Sequence, residues 1–111
     1  ALNDLYRVST DSITDVVWSE VETKGTRPLP RGYHTSTLVG HQLIVFGGSD
    51  GQECFGDISI LDLELMAWSH VSIDPPLTRL AHTATLVGMY LFVLCGHDGT
   101  DYSNDVLMLK L

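Results

Sequence analysis

The chain repeats itself with a period of 48 residues, and this repeat constrains its fold more than any other feature of the sequence. Residues 31–40 read RGYHTSTLVG and residues 79–88 read RLAHTATLVG, so Arg, His, both Thr, Leu, Val and Gly coincide. The register continues through Gly48 and Gly96 to the Asp-Gly pairs at 50–51 and 98–99. A repeat of this length is typical of proteins in which each unit buries its apolar face against the next unit.

Each repeat contains short apolar runs that end in turn residues. The run Leu-Ile-Val-Phe at 43–46 ends in Gly47-Gly48, and the run at 91–94 ends in Cys95-Gly96. Short β-branched and aromatic runs bounded by Gly and Asp-Gly are typical of buried strands that end in tight turns. No stretch has helical periodicity together with caps. The predicted strands are 34–39, 42–46, 57–62 and 67–72 in the complete copy, 82–87, 90–94 and 105–109 in the last copy, and 4–8 and 16–22 in the first copy.

Four short strands per unit indicate a blade of a β-propeller, and the chain resembles the kelch repeat family. In that family a strand ends in Gly-Gly, and an aromatic residue and then a Trp follow. The matching residues are Gly47, Gly48, Phe55 and Trp68 in the complete copy, Cys95, Gly96 and Tyr102 in the last copy, and Trp18 in the first. Tyr102 is taken here as the counterpart of Phe55. Cys95 fits the motif if only the second glycine needs a positive φ.

The resemblance implies an all-β fold of kelch-type β-propeller blades, each a four-stranded antiparallel sheet, with an incomplete ring in this chain. It assigns 1–30 to the outer two strands of a first blade plus a linking loop, 31–78 to a complete blade, and 79–111 to the inner three strands of a third. In such blades the first strand lines the central channel and the fourth is outermost. The incomplete ring leaves three explanations open: a piece of a larger propeller, several copies that close one ring, or an isolated fragment.

The resemblance also implies a protein–protein interaction module, an adaptor or scaffold that is not an enzyme. Its partner, a protein or peptide, is expected to contact loops on one face: 49–55, 97–103 and the segment around Leu80, joined by the linking segment 23–33. The candidate partner-binding residues are Arg31, Tyr33, Asp50, Gln52, Glu53, Arg79, Leu80, Asp98, Thr100 and Asp101.

Several repeated residues also have a structural interpretation. His34 and His82 suggest a metal pair or an acid–base couple, but equal repeat positions lie on different blades. A side-chain hydrogen bond from the first strand to the neighbouring loop suffices to explain them and is the favoured interpretation. Arg31 and Arg79 either pair with acidic residues or face a ligand.

The remaining repeated positions are predicted to pack or to form turns. Trp18 and Trp68 are expected to pack between blades. Asp-Gly at both loop tips indicates turn geometry, because a calcium site needs more oxygen ligands than these loops offer. Asp57 and Asp105 are assigned to capping the preceding turn.

Composition narrows the classes of partner. The net charge of −8 disfavours nucleic acid and anionic membrane surfaces but permits a basic partner. No apolar run is as long as a membrane span, and the N-terminus does not read as a signal peptide. Two cysteines in different settings, Cys54 and Cys95, are expected to be reduced thiols, which favours a cytoplasmic location.

Catalytic motifs are not found in the sequence, so no cofactor or metal is expected. A Ser nucleophile elbow, a phosphate-binding Gly-rich loop and a Cys/His ligand spacing are all absent. Two alternatives stay open. In the first alternative, the chain is a fragment of a galactose-oxidase-like propeller enzyme. In the second, several copies of the chain assemble to complete a ring that has no evolved ligand.

Overall fold

The computed structural model describes residues 1–12 and 14–111, and strands are the regular elements of this part of the chain. Their ends lie within two residues of the predicted ends. The strands are β1 (Tyr6–Ser9), β2 (Val17–Glu20), β3 (Thr35–Val39), β4 (Gln42–Phe46), β5 (Ile58–Asp62), β6 (Ala67–Val71), β7 (Thr83–Val87), β8 (Tyr90–Leu94) and β9 (Val106–Lys110).

The strands form three antiparallel sheets in which every strand pairs with its neighbour along the chain. The first sheet contains β1 and β2, the second contains β3, β4, β5 and β6, and the third contains β7, β8 and β9. Two-residue turns at 40–41 and 88–89 close the β3–β4 and β7–β8 hairpins. Gly40 and Gly88 have φ of 59° and 60° in these turns, a conformation that glycine adopts at little cost.

The apolar core lies between the second and third sheets. Ile44, Phe46 and Ile58 from the second sheet pack with Leu91 and Val93 from the third, and each of the five side chains is buried. Burying five such side chains contributes roughly 1.5–3 kcal/mol each before the entropy of ordering the chain is subtracted. Face-to-face packing of successive sheets, each built from one repeat, is the all-β blade arrangement that the sequence predicts.

The linking segment after β2 covers the outer edge of the second sheet. Lys24 pairs in parallel with Ala67, and its carbonyl accepts a hydrogen bond from the Trp68 N–H at 3.0 Å. The Trp68 indole N–H donates to Thr23 Oγ1 at 3.0 Å. Trp68 is therefore bonded to the linking segment, whereas Trp18 is 67% exposed. Pairing the last strand with a linking segment satisfies main-chain groups at the sheet edge.

Candidate interaction face

Two loops and two linking segments meet at one end of the sheets, and we call this surface the loop face. It consists of loops 47–57 and 95–105 with segments 31–34 and 72–82. The start of the predicted linking segment 23–33 lies elsewhere, because Lys24 N–H donates to Met66 O at 2.7 Å beside the β5–β6 turn. Main-chain hydrogen bonds join these parts: Gly48 N–H donates to Arg79 O at 2.8 Å, Arg79 N–H to Phe55 O at 3.1 Å, and Leu80 N–H to His97 O at 2.9 Å. The loops that the sequence places on one face are therefore in contact with one another.

The tips of the two loops are closed by equivalent aspartate hydrogen bonds. Asp50 Oδ1 accepts from the main-chain N–H groups of Gln52 and Glu53 at 2.9 and 2.7 Å. Asp98 Oδ1 accepts in the same way from Thr100 and Asp101, at 2.8 and 2.7 Å. These main-chain donors, Glu53 and Asp101 first, lower the pKa of the Asp50 and Asp98 carboxyls below their ordinary value. Both aspartates therefore form turns and stay ionised at neutral pH.

Arg31 is buried beneath loop 47–57 and holds it in place. Its guanidinium donates to both carboxylate oxygens of Asp57 at 2.7 and 3.0 Å, and to Gly47 O at 2.8 Å. Its Nε donates to Leu29 O at 3.0 Å, and its guanidinium carbon lies 4.4 Å from the centre of the Phe55 ring. Arg31 is 7% exposed, which favours the structural alternative for this residue.

Arg79 has the same role in the last repeat but fewer partners. It is 3% exposed and donates to Asp105 Oδ2 at 3.1 Å. Its Nε has no hydrogen-bond partner among the described residues. Both arginines thus pair with the aspartate 26 residues further on, a partnership that the assignment of Asp57 and Asp105 to turn capping missed. The equal Arg-to-Asp spacing in the two repeats is the sequence signal that pointed to it.

Tyr102 is the counterpart of Cys54 rather than of Phe55. Ser49 forms an isolated antiparallel β-bridge with Cys54, and His97 forms the equivalent β-bridge with Tyr102. The sequence match of Phe55 with Tyr102 is therefore wrong, because it aligned residues by aromatic type and shifted the loop by one position. Ser103 occupies the place of Phe55, so Arg79 has no ring equivalent to the one that packs on Arg31. The Tyr102 ring is 92% exposed and lies 5.1 Å from His97 in an edge-to-face arrangement.

The two residues that follow β4 and the two that follow β8 all have a positive φ. The values are 68° and 99° at Gly47 and Gly48, and 61° and 89° at Cys95 and Gly96. The condition under which Cys95 would fit the motif, a positive φ at the second position alone, is therefore not met. Cys95 adopts a conformation that is costly for a residue with a Cβ.

The two repeated histidines occupy different environments. His82 is 6% exposed, its Nε2 is 2.8 Å from Thr35 Oγ1, and its ring packs edge-on against Phe46. His82 therefore joins β7 to the neighbouring inner strand rather than to a loop, while its buried Nδ1 has no partner among the described residues. Burial, followed by the nearby charge of Arg79 and the His34 ring, lowers the pKa of His82. His34 is exposed, and partial burial and Arg31 lower its pKa.

The other candidate contact residues are exposed or held by main-chain bonds. Leu80 is half-buried, and its main chain pairs with His97. Tyr33 is 68% exposed, and its carbonyl accepts from Ala81 N–H at 2.9 Å. The exposed members of the candidate set are Tyr33, Asp50, Gln52, Glu53, Asp98, Thr100 and Asp101.

Residues 1–12 and 14–111 lack the features of a metal site and of a membrane-spanning helix. Within these residues, His, Cys, Asp and Glu nowhere form a group of three or more able to hold a metal ion. The same residues contain no helix of the length and apolarity needed to cross a bilayer. Cys54 and Cys95 are free thiols, the first half-buried and the second exposed.

Sheets of this kind, with one repeat per sheet, define a β-propeller built from short antiparallel blades. The model of the KLHDC2/KLHL20/DRC7 Kelch-repeats domain matches residues 1–111. The chain therefore belongs to the kelch-repeat family, and its sheets of two, four and three strands are kelch-type blades of a partial propeller.

Curated relatives include two host cell factors and a plant protein. The chain is 38% identical to "Host cell factor" of Drosophila melanogaster over 86 residues, covering 66% of this chain and 6% of that protein. It is 38% identical to "Host cell factor 2" of Homo sapiens over 87 residues, covering 66% of this chain and 11% of that protein. It is 49% identical to "Acyl-CoA-binding domain-containing protein 6" of Oryza sativa subsp. japonica over 55 residues, covering 49% of this chain and 8% of that protein. The chain thus spans a small fraction of the length of these relatives.

Proposed function

We propose that the chain is part of a closed kelch β-propeller that acts as a protein-interaction module, an adaptor or scaffold rather than an enzyme. Residues 1–30 supply the outer two strands of one blade and a linking loop, 31–78 form a whole blade, and 79–111 supply the inner three strands of the next. Membership of the kelch-repeat family supports this proposal. Because propellers host many activities, the proposed function rests on the loop face and not on the fold alone.

The observation that carries the proposal is the matched bonding of the two loop tips. Each tip is closed by an aspartate that accepts two main-chain N–H groups, so the residues between are held without help from a ligand. Exposed side chains, among them Glu53 and Asp101, then stand at equivalent places on neighbouring repeats. Binding surfaces whose loops are already ordered lose less conformational entropy when a partner binds.

The charge of the loop face indicates the chemistry of the partner. Arg31 and Arg79 are buried against aspartates, whereas the exposed charges of the two loop tips are Asp50, Glu53, Asp98 and Asp101. An acidic surface attracts partners that carry basic or hydrogen-bond-donating groups and repels phosphate backbones. The proposed partner is a protein or peptide with such a surface, and neither nucleic acid nor a membrane.

The proposed compartment is the cytoplasm, on the basis of two free thiols that lie in different environments. Imaging of the complete natural protein with a fluorescent tag tests this assignment. A signal confined to the secretory pathway would contradict it.

The binding proposal is tested with charge reversals in the complete natural protein. Glu53→Arg and Asp101→Arg change exposed residues of the loop face, and Glu64→Arg makes the same change in the β5–β6 turn at the opposite end of the sheet. Each tagged variant is purified from cells, and co-purifying proteins are quantified by mass spectrometry. We expect at least one protein to be lost from both loop-face variants and kept by Glu64→Arg, with equal thermal midpoints for the three variants.

Two outcomes would overturn the proposal. One is retention of every co-purifying protein by both loop-face variants. The other is stoichiometric copper with oxidase activity in the complete protein, which would indicate the enzyme alternative. The mass of the complete protein by light scattering separates a single-chain ring from a homo-oligomer that completes one.

A further inference from the structure

Two glycines allow loop 47–57 to pack tightly against segment 77–79, which leads into the following repeat. A Cβ added to Gly47 would overlap the carbonyl oxygen of Arg79, and a Cβ added to Gly56 would lie 2.5 Å from the carbonyl oxygen of Leu77. Both neighbours are main-chain atoms, which cannot move aside as a flexible side chain does. We call this tight contact, with the Gly48 N–H to Arg79 O hydrogen bond inside it, the closed junction.

The last repeat lacks both of these glycines. Cys95 stands at the position of Gly47, and Asn104 stands at the position of Gly56. A Cβ added to Gly48 or Gly51 would not meet segment 77–79, and these two glycines are kept as Gly96 and Gly99. The backbone of the two loops is otherwise alike, since Cys95 has a φ of 61° where Gly47 has 68°. A unit that packs on the third sheet therefore meets side-chain carbons where the closed junction has none.

The first repeat shows how a junction forms around asparagine. Asn3 precedes Asp4 as Asn104 precedes Asp105, and Arg31 N–H still donates to Leu2 O at 3.0 Å. The Asn3 side chain donates to Pro28 O at 3.3 Å. This linking segment is two residues longer between its Trp and His than the one that packs on Gly56. Asparagine thus replaces a close main-chain approach with a side-chain hydrogen bond to the passing segment.

The free face of the third sheet matches the face by which the second sheet packs on the third. Phe92, Val106 and Met108 occupy the positions of Ile44, Ile58 and Ile60 in the repeat. Val106 and Met108 are 68% and 61% exposed. A further repeat unit is therefore the occupant that continues the existing interface, an inference that rests on the proposed propeller.

We propose that the third sheet receives a further repeat unit through an open junction, in which Asn104 Nδ2 donates to a main-chain carbonyl and Cys95 stays exposed on the loop face. In the further repeat unit, the main-chain carbonyl that corresponds to Arg79 O is displaced by the Cβ of Cys95. The N–H of Gly96 then lacks the bond that the N–H of Gly48 makes. The result is a cleft beside loop 95–105 on the proposed binding surface.

The thiols of the chain report directly on this junction. The complete natural protein is treated with N-ethylmaleimide under native conditions, and modification of Cys54 and Cys95 is followed by peptide mass spectrometry and normalised to the denatured protein. Cys54 is half-buried beside Gly99, whereas an open junction leaves Cys95 accessible. We expect Cys95 to react on the order of ten times faster than Cys54, because access limits the reaction of a protected thiol. Native protection of Cys95 equal to that of Cys54 would overturn the proposal.

A second measurement tests the hydrogen bond of Asn104. Asn104→Asp keeps the shape of the side chain but replaces its donor with an acceptor that repels a carbonyl. Asn3→Asp is the matched control, because the bond from Asn3 to Pro28 O is observed. We expect both variants to lower the thermal midpoint. A lower midpoint for Asn3→Asp alone would overturn the proposal, and neither readout depends on finding a partner, so failure of the binding proposal is recognised separately.

Discussion

Loops 47–57 and 95–105 share their main-chain bonds and the aspartate bonds of their tips, but their surroundings differ. Each ends a strand with two residues of positive φ, and each closes its tip with an aspartate. They differ at the positions that face the next repeat, where Gly47 and Gly56 become Cys95 and Asn104. The comparison teaches that this repeat keeps the residues that fold each loop and varies the two glycines whose Cα atoms pack against segment 77–79.

The buried arginines differ in the same way. Arg31 satisfies its guanidinium with Asp57 and two carbonyls and packs on Phe55. Arg79 has one aspartate partner and an unpaired Nε among the described residues. Leu77 O lies against Gly56 in the closed junction, whereas Leu29 O accepts from Arg31 Nε. The path of the linking segment therefore decides how well each arginine is paired.

The largest difference is expected between Gly47→Ala and Cys95→Ala. The first variant places a methyl group against Arg79 O at a φ of 68°, so it should lower the free energy of unfolding by about 3 kcal/mol. The second keeps a Cβ where one is already tolerated, so it should change this free energy by less than about 0.5 kcal/mol. Urea unfolding of the complete protein measures both, and equal losses would mean that the two junctions are alike.

Replacing the arginines should give the next largest difference. Arg31→Met removes the bonds to Asp57 and Gly47 O together with the contact with Phe55, and should cost about 2 kcal/mol, because Asp57 is 41% exposed and stays hydrated. Arg79→Met removes one ion pair whose aspartate is 58% exposed, so screening by water should hold the loss to about 1 kcal/mol. Urea titrations rank the two variants, and a larger loss at Arg79 would contradict the comparison.

The contact between β3 and β7 should weaken in acid because of His82. Its pKa is lower in the folded protein, so the unfolded chain binds more protons between the two pKa values. This stabilisation is complete above the unfolded pKa of about 6.5 and is lost as the pH falls through the folded pKa. The unfolding midpoint should drop between pH 7.5 and pH 5, and less so in His82→Gln, whose amide keeps a partner for Thr35. Identical pH profiles of the two proteins would exclude His82 as the cause.

The smallest difference should lie between the loop tips themselves. Asp50→Ala and Asp98→Ala each remove an acceptor of two main-chain N–H groups and should lower the thermal midpoint slightly and equally. Asp50→Asn and Asp98→Asn keep the accepting oxygen and serve as controls. Hydrogen exchange at the N–H groups of Glu53 and Asp101 should increase in the alanine variants only. A larger change in one loop would show that its tip depends on contacts beyond its own bonds.

Local patterns predicted the strands and the turns because these depend on neighbouring residues. Apolar runs bounded by Gly and Asp-Gly place β4 and β8 at their observed ends. The same patterns misaligned Tyr102 with Phe55, because residue type alone does not give the register of an irregular loop. They also left the roles of Arg31 and Arg79 open, since the burial of a side chain depends on which segments pass over it.

The sequence by itself determined the repeat, the strand order within each sheet and the aspartate turns, since short-range hydrogen bonds and side-chain alternation decide these. Tertiary structure alone decided that Arg31 and Arg79 are buried, that His82 bonds across to Thr35, and that Gly47 and Gly56 are sites of close approach. These features arise where residues far apart in the chain meet. The free energy of such a contact depends on distances and burial that only the packed sheets define.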